Sequence, residues 1–158
     1  MKKEFKEMIE QSRMSLKKAE EKIEDLSADF TEEASEFWLD LKKRFSKVND
    51  KLKDAYNEFD GKSELKAYLS LAEARYRLEK FKDSAEEFTD KISKNAQNKL
   101  DITALKVHLA KMESEDLWEE TQKNFLHKYQ ESKAEVEKLA QKAGKEINEI
   151  FLKLTKKV

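Results

Sequence analysis

The chain of 158 residues contains no cysteine, no proline and only two glycines, Gly61 and Gly144. Without cysteine there is no disulfide framework, no thiol nucleophile and no Cys-ligated zinc or iron–sulfur centre. Without proline nothing removes a helix donor or clashes with the turn before it, so long helices can run uninterrupted. Two glycines also leave no glycine-rich loop to cradle a phosphate. Histidine is scarce too: His108 and His127 are far from the i, i+4 spacing of a helical metal pair. The residues three before them are Leu105 and Asn124, so the Glu-x-x-His pattern of di-iron bundles is missing.

Charge of one sign is also lacking. Lys plus Arg is 33 and Asp plus Glu is 34, and this balance offers nucleic acid no overall cationic excess. No run approaches the roughly 18 apolar residues needed to span a bilayer. The start, Met1 to Glu7, mixes acids with bases and leads into no apolar segment, so no signal peptide is expected. The expectation is a cytoplasmic, non-enzymatic protein with no cofactor and no metal.

What is present is periodicity. Apolar or small residues recur at Phe5, Ile9, Ser12, Leu16, Ala19, Ile23, Leu26, Phe30, Ala34, Phe37, Leu41, Phe45, Val48, Leu52, Ala55 and Phe59. Steps of three and four keep one face of a helix, which no strand could do. Unbroken, that helix is about 80 Å long at 1.5 Å per residue. Nine Phe and two Trp at such spacing argue against disorder despite 42% charged residues. Trp38 and Trp118, set among Phe and Leu, read as core anchors.

Asp29 or Thr31 can cap a new helix, but the stripe keeps its phase through this point, which predicts a continuous or gently kinked helix. Charge changes sign along it: nine acids between Glu20 and Asp40 face only Lys22, and six bases between Lys42 and Lys53 face only Asp50. Such blocks read as solvated faces or register devices, with a patch for a charged partner as the sharper alternative. At Phe59-Asp60-Gly61-Lys62-Ser63, a left-handed Gly61 and a capping Ser63 predict a tight turn. The Asn-rich stretch from Asn95 to Asp101 predicts a second. Gly144 marks a candidate kink or the start of a short fourth helix. A weak forty-residue repeat aligns Lys66, Leu69, Glu73 and Glu79 with Lys106, Leu109, Glu113 and Glu119.

Together these signals predict one all-α domain over residues 1–158, an elongated antiparallel bundle of three long amphipathic helices at about 3–59, 63–98 and 101–156. The helices number four if the chain bends near residue 29 or 144. The middle helix is the shortest, so the outer two overhang it. Phe5, Ile9 and Leu16 at one end, and Ile147, Phe151 and Leu154 at the other, are the candidate interface for another subunit.

The stretch from Leu105 to Glu120, reading LKVHLAKMESEDLWEE, resembles a pattern in small bacterial proteins described as coiled-coil or apolipoprotein-like helical proteins. The resemblance extends over residues 62–158. It implies a helical-repeat architecture and brings no catalytic residue. The main expectation is a structural or protein-interaction bundle whose partner is itself or another helical protein. The alternative is a reversible amphipathic binder of lipid or another apolar surface, first touched by the basic tail Lys153, Lys156 and Lys157.

Overall fold

A computed structural model describes residues 2–61 and 63–158. Among them are helices α1 (Lys2–Asp25), α2 (Glu32–Asp60), α3 (Glu64–Ser93), α4 (Ile102–Ser114), α5 (Trp118–Glu131) and α6 (Lys133–Lys157). Each of four starts is fixed by a short polar side chain that takes an otherwise unpaired N–H. Thr31 accepts from Ala34, Ser63 from Lys66, Asp101 from Ala104 and Ser132 from Glu135.

Six helices replace the expected three or four, because two of the predicted long helices are broken. The first stops at Asp25, passes through a 3-10 turn at Ser27–Asp29, becomes extended at Phe30 and restarts at Thr31. The stripe's unbroken phase misled here: α1 folds back against α2, so both halves turn their apolar face to the same core. The predicted helix over 101–156 is broken twice. At Glu115–Leu117 the chain leaves helical geometry, and at Ser132 it becomes extended before α6. Gly144 interrupts nothing; α6 runs through it.

Both expected turns exist, with altered chemistry. Gly61 has φ −85° and ψ −162°, not the left-handed conformation, and Lys62 beside it lies outside the described residues. The left-handed residue is Asn95, at φ 54° in the second turn. Ala96 N–H reaches the Lys91 carbonyl at 2.8 Å and Asn95 N–H reaches that of Ile92 at 3.2 Å, which closes α3 with a Schellman motif.

Contacts between helices give the directions. Arg13 bonds Asn49 while Glu24 bonds Lys42, so α1 and α2 are antiparallel. Phe59 meets Tyr68 and Phe45 meets Phe81, so α2 and α3 are antiparallel. Then α4 and α5 together return alongside α3, with Asp116 on Arg77, and Lys133 at the head of α6 pairs with Glu64. Because α4 and α5 take up the downward run, α6 runs parallel to α3, pairing Lys153 with Glu86 and Lys157 with Asp90. Helices α1, α2, α3 and α6 enclose one core, while α4 and α5 lie mainly against α3 and α6.

Phe45 sits centrally in that core, its ring 5.7 Å from Trp38, 5.8 Å from Phe81 and 5.4 Å from Phe151. These offset and edge-on pairs suit the ring quadrupoles and add to the area they bury. On the helix surfaces Asp40 pairs with Arg44 and Glu73 with Arg77, each pair one turn apart. Lys153 crosses to Glu86 instead of pairing along its own helix.

Candidate functional site

The six candidate interface residues all lie on α1 and α6, and the fold brings these two helices together. Phe5, Ile9, Leu16, Ile147, Phe151 and Leu154 are each no more than 1% exposed. They belong to the common core and leave no overhanging stripe. The reason is the bend at residues 26–31: α1 lies back along α2 instead of projecting beyond it, and α6 packs against α1 and α3. Phe5 stacks on Phe59 with ring centroids 4.9 Å apart and lies 5.4 Å from Tyr68. Burial pushes the Tyr68 phenol up to about 12.

The α1–α6 seam is close because its contact residues are small. Ser12, fully buried, donates through Oγ to the Gly144 carbonyl at 3.2 Å, and Ser15 Oγ donates to Asn148 Oδ1 at 2.6 Å. Met8 lies over Gly144, where a Cβ would come within 2.2 Å of its Cε. The Ser12 position in the apolar stripe hinted at this packing. Nothing in the sequence paired it with Gly144, since the partners are 132 residues apart.

Across the α1–α2 hairpin, Trp38 Nε1 donates to Glu24 Oε2 at 2.5 Å, and Lys42 Nζ reaches the same oxygen at 3.1 Å. The indole bond, reinforced by Lys42, holds the Glu24 carboxyl below the ordinary carboxylate value. Glu20, one turn earlier, is pushed up by burial, partly opposed by Lys42. Thus Trp38 is buried as expected but carries a polar handle that orients the hairpin.

On the outer side of α1 and α6, Met14 is 68% exposed and Leu152 is 40% exposed. They line a shallow groove of about 660 Å³ with Gln11, Ser15, Lys17, Lys18, Glu21 and Asn148. His108 is exposed on α4, and His127 pairs with Glu131 on α5 at 3.1 Å, so the fold does not bring the two histidines into one site. Among the described residues no group of three His, Asp or Glu side chains is placed to hold a metal ion, and no helix is long and apolar enough to cross a membrane. No protein-family model, curated protein or solved structure matches the chain.

Proposed function

We propose that this is a non-enzymatic interaction bundle that self-associates by exchanging α1 between copies. One observation carries the reading: the α1 stripe remains in phase with that of α2 across the 26–31 bend, although the bend separates them. Straightening the bend joins them into one long apolar face and lifts α1 from its own α6. Phe5, Ile9 and Leu16 then need the cover of a second copy's α2, α3 and α6, the helices that enclose the core with α1 when the chain is closed. Exchange of an identical element preserves every core contact, so it requires little free energy beyond that of the hinge and of association. A different helical protein carrying a matching stripe would be taken up in the same way.

The lipid alternative draws on a separate feature, the exposed Met14 and Leu152 beside Lys17 and Lys18 on the outer face. An apolar pair among lysines suits the surface of an anionic membrane.

Light scattering behind a sizing column tests the proposal, using the full chain and a variant lacking Ser27–Asp29. Removing the turn prevents α1 from folding back and favours exchange, so the variant should run as a dimer while the parent shifts from monomer toward dimer with concentration. Monomers for both chains at all concentrations would reject self-association. Flotation with anionic vesicles at low salt would then decide for or against the lipid reading.

A further inference from the structure

The basic block between Lys42 and Lys53 is not a uniform solvated face. Lys42 turns to Glu24 and Lys51 to Glu73. Lys43, Arg44 and Lys47 instead line a cleft of about 370 Å³ between α2, α3 and the end of α4, opposite Arg77 and Lys80. This volume falls within the range of small-molecule sites, about 300–1,000 Å³. The remaining lining is Asp40, Glu113, Asp116 and the buried ring of Phe81.

Five cations therefore face three carboxylates, an excess of two positive charges in a chain whose net charge is −1. The two guanidinium groups are held in place. Arg44 pairs with Glu113 at 2.6 Å and with Asp40 at 3.8 Å, and Arg77 pairs with Asp116 at 3.0 Å. Lys80 Nζ donates to the Glu115 carbonyl at 2.8 Å and lies 5.0 Å over the Tyr76 ring. Lys43 and Lys47, one turn apart on α2, are exposed and make none of the ion pairs among the described residues. Like charges spaced i, i+4 repel, and neither lysine is relieved by a carboxylate at ion-pair distance among the described residues.

We propose that this cleft binds a small phosphorylated polyanion. The two free lysines supply the charge that a ligand would neutralise, and the excess calls for at least a dianion. The forks of Arg44 and Arg77 are turned to Glu113, Asp40, Asp116 and Glu73. A phosphoryl group that displaces Glu113 or Asp116 therefore meets a guanidinium matched to its oxygens in direction as well as charge, whereas mobile ammonium groups act as point charges. Phe81 gives the cleft an apolar floor, which strengthens charge interactions above it. Tyr76 contacts Trp118 at 5.5 Å between centroids, so the indole is a reporter at the rim.

Inorganic pyrophosphate is the probe, titrated into the full chain at low ionic strength by calorimetry and followed by Trp fluorescence. One-to-one saturable binding is expected, weakened at least tenfold in the Lys43→Gln/Lys47→Gln double variant. A control double variant, Lys123→Gln/Lys128→Gln, loses the same charge from exposed positions on α5 and should bind like the parent. Citrate should bind at least tenfold more weakly than pyrophosphate. No saturable binding by the parent, or equal weakening in both double variants, overturns the site. Equal affinity for citrate overturns its phosphoryl preference. All four substituted lysines are exposed, and circular dichroism of each variant confirms that an affinity loss is not unfolding.

Discussion

The side-chain amide of Gln97 bridges the backbone on both sides of Phe30. Its Oε1 accepts from Thr31 N–H at 3.0 Å, and its Nε2 donates to the Asp29 carbonyl at 3.0 Å. A residue in the 95–101 turn therefore fixes the 26–31 bend, 66 positions away. Gln97→Ala removes both bonds from an exposed site, where a hydrogen bond contributes about 1 kcal/mol. The expected result is a loss of about 1–2 kcal/mol in urea denaturation, with faster amide exchange at Thr31 and a larger dimer fraction if the bend is the exchange hinge.

Phe151 and Ile9 lie on facing helices and are fully buried within the chain. Truncating a buried Phe to Ala costs about 3–5 kcal/mol, and Ile to Ala about 2–5 kcal/mol. Phe151→Ala should therefore lower stability even at protein concentrations where the chain is monomeric. Dissociation of an oligomer with no change in monomer melting would show that these side chains are not part of the monomer's core.

Gly144 and Met8 set the α1–α6 separation. Gly144→Ala gains up to about 1 kcal/mol of helix propensity, but its Cβ requires Met8 Cε and Sδ to move. A neighbouring cavity of about 310 Å³ gives that flexible end room to swing. Net change should stay within about 1 kcal/mol, and the same substitution should be more favourable in a Met8→Ala background. Gly144→Leu has no such escape and should cost about 1–3 kcal/mol. A double-mutant cycle by denaturation checks both.

Glu24 and Glu20 predict opposite pH effects. The folded-state value of Glu24 lies below 4.5, so its contribution is present above that pH and is lost as pH falls through the lowered folded value. The folded-state value of Glu20 lies above 4.5, so folding gains stability as pH falls through that raised value toward 4.5. Both groups are partly exposed, so the effects should be small. Glu24→Gln should flatten the loss below pH 4.5, and Glu20→Gln the gain above it, in melting curves measured across the acid range.

Ser132 caps α6 by accepting from Glu135 N–H at 3.3 Å. Ser132→Ala should cost about 0.5–2 kcal/mol. Ser132→Asp should restore most of it, which distinguishes the cap from simple loss of a surface hydroxyl. Thermal melts of the three proteins make the comparison.

Several of these features are legible in the sequence alone. Spacing identified the buried face of α1 and α2 almost residue by residue, because a helix must turn its apolar side away from water. Ser63 and Asp101 announced their helices through side-chain chemistry that acts within three residues. Ser132 and Glu135 form a Ser-x-x-Glu capping sequence of the same local kind, and the turn there could have been read from it. The bend at 26–31 was not legible in the same way. Capping candidates were present, but a stripe in phase is compatible with one straight helix or with two helices folded onto one core.

The sequence by itself determined the helical class, the apolar faces, the caps and the two main turns, since all of these follow from interactions within a few residues along the chain. Tertiary structure alone decided that Gln97 pins the first bend, that Ser12 and Met8 meet Gly144, and that Lys43 and Lys47 face Arg77 and Lys80. Those relationships join residues far apart in sequence, and they arise only when packing of the shared core fixes which helix faces which.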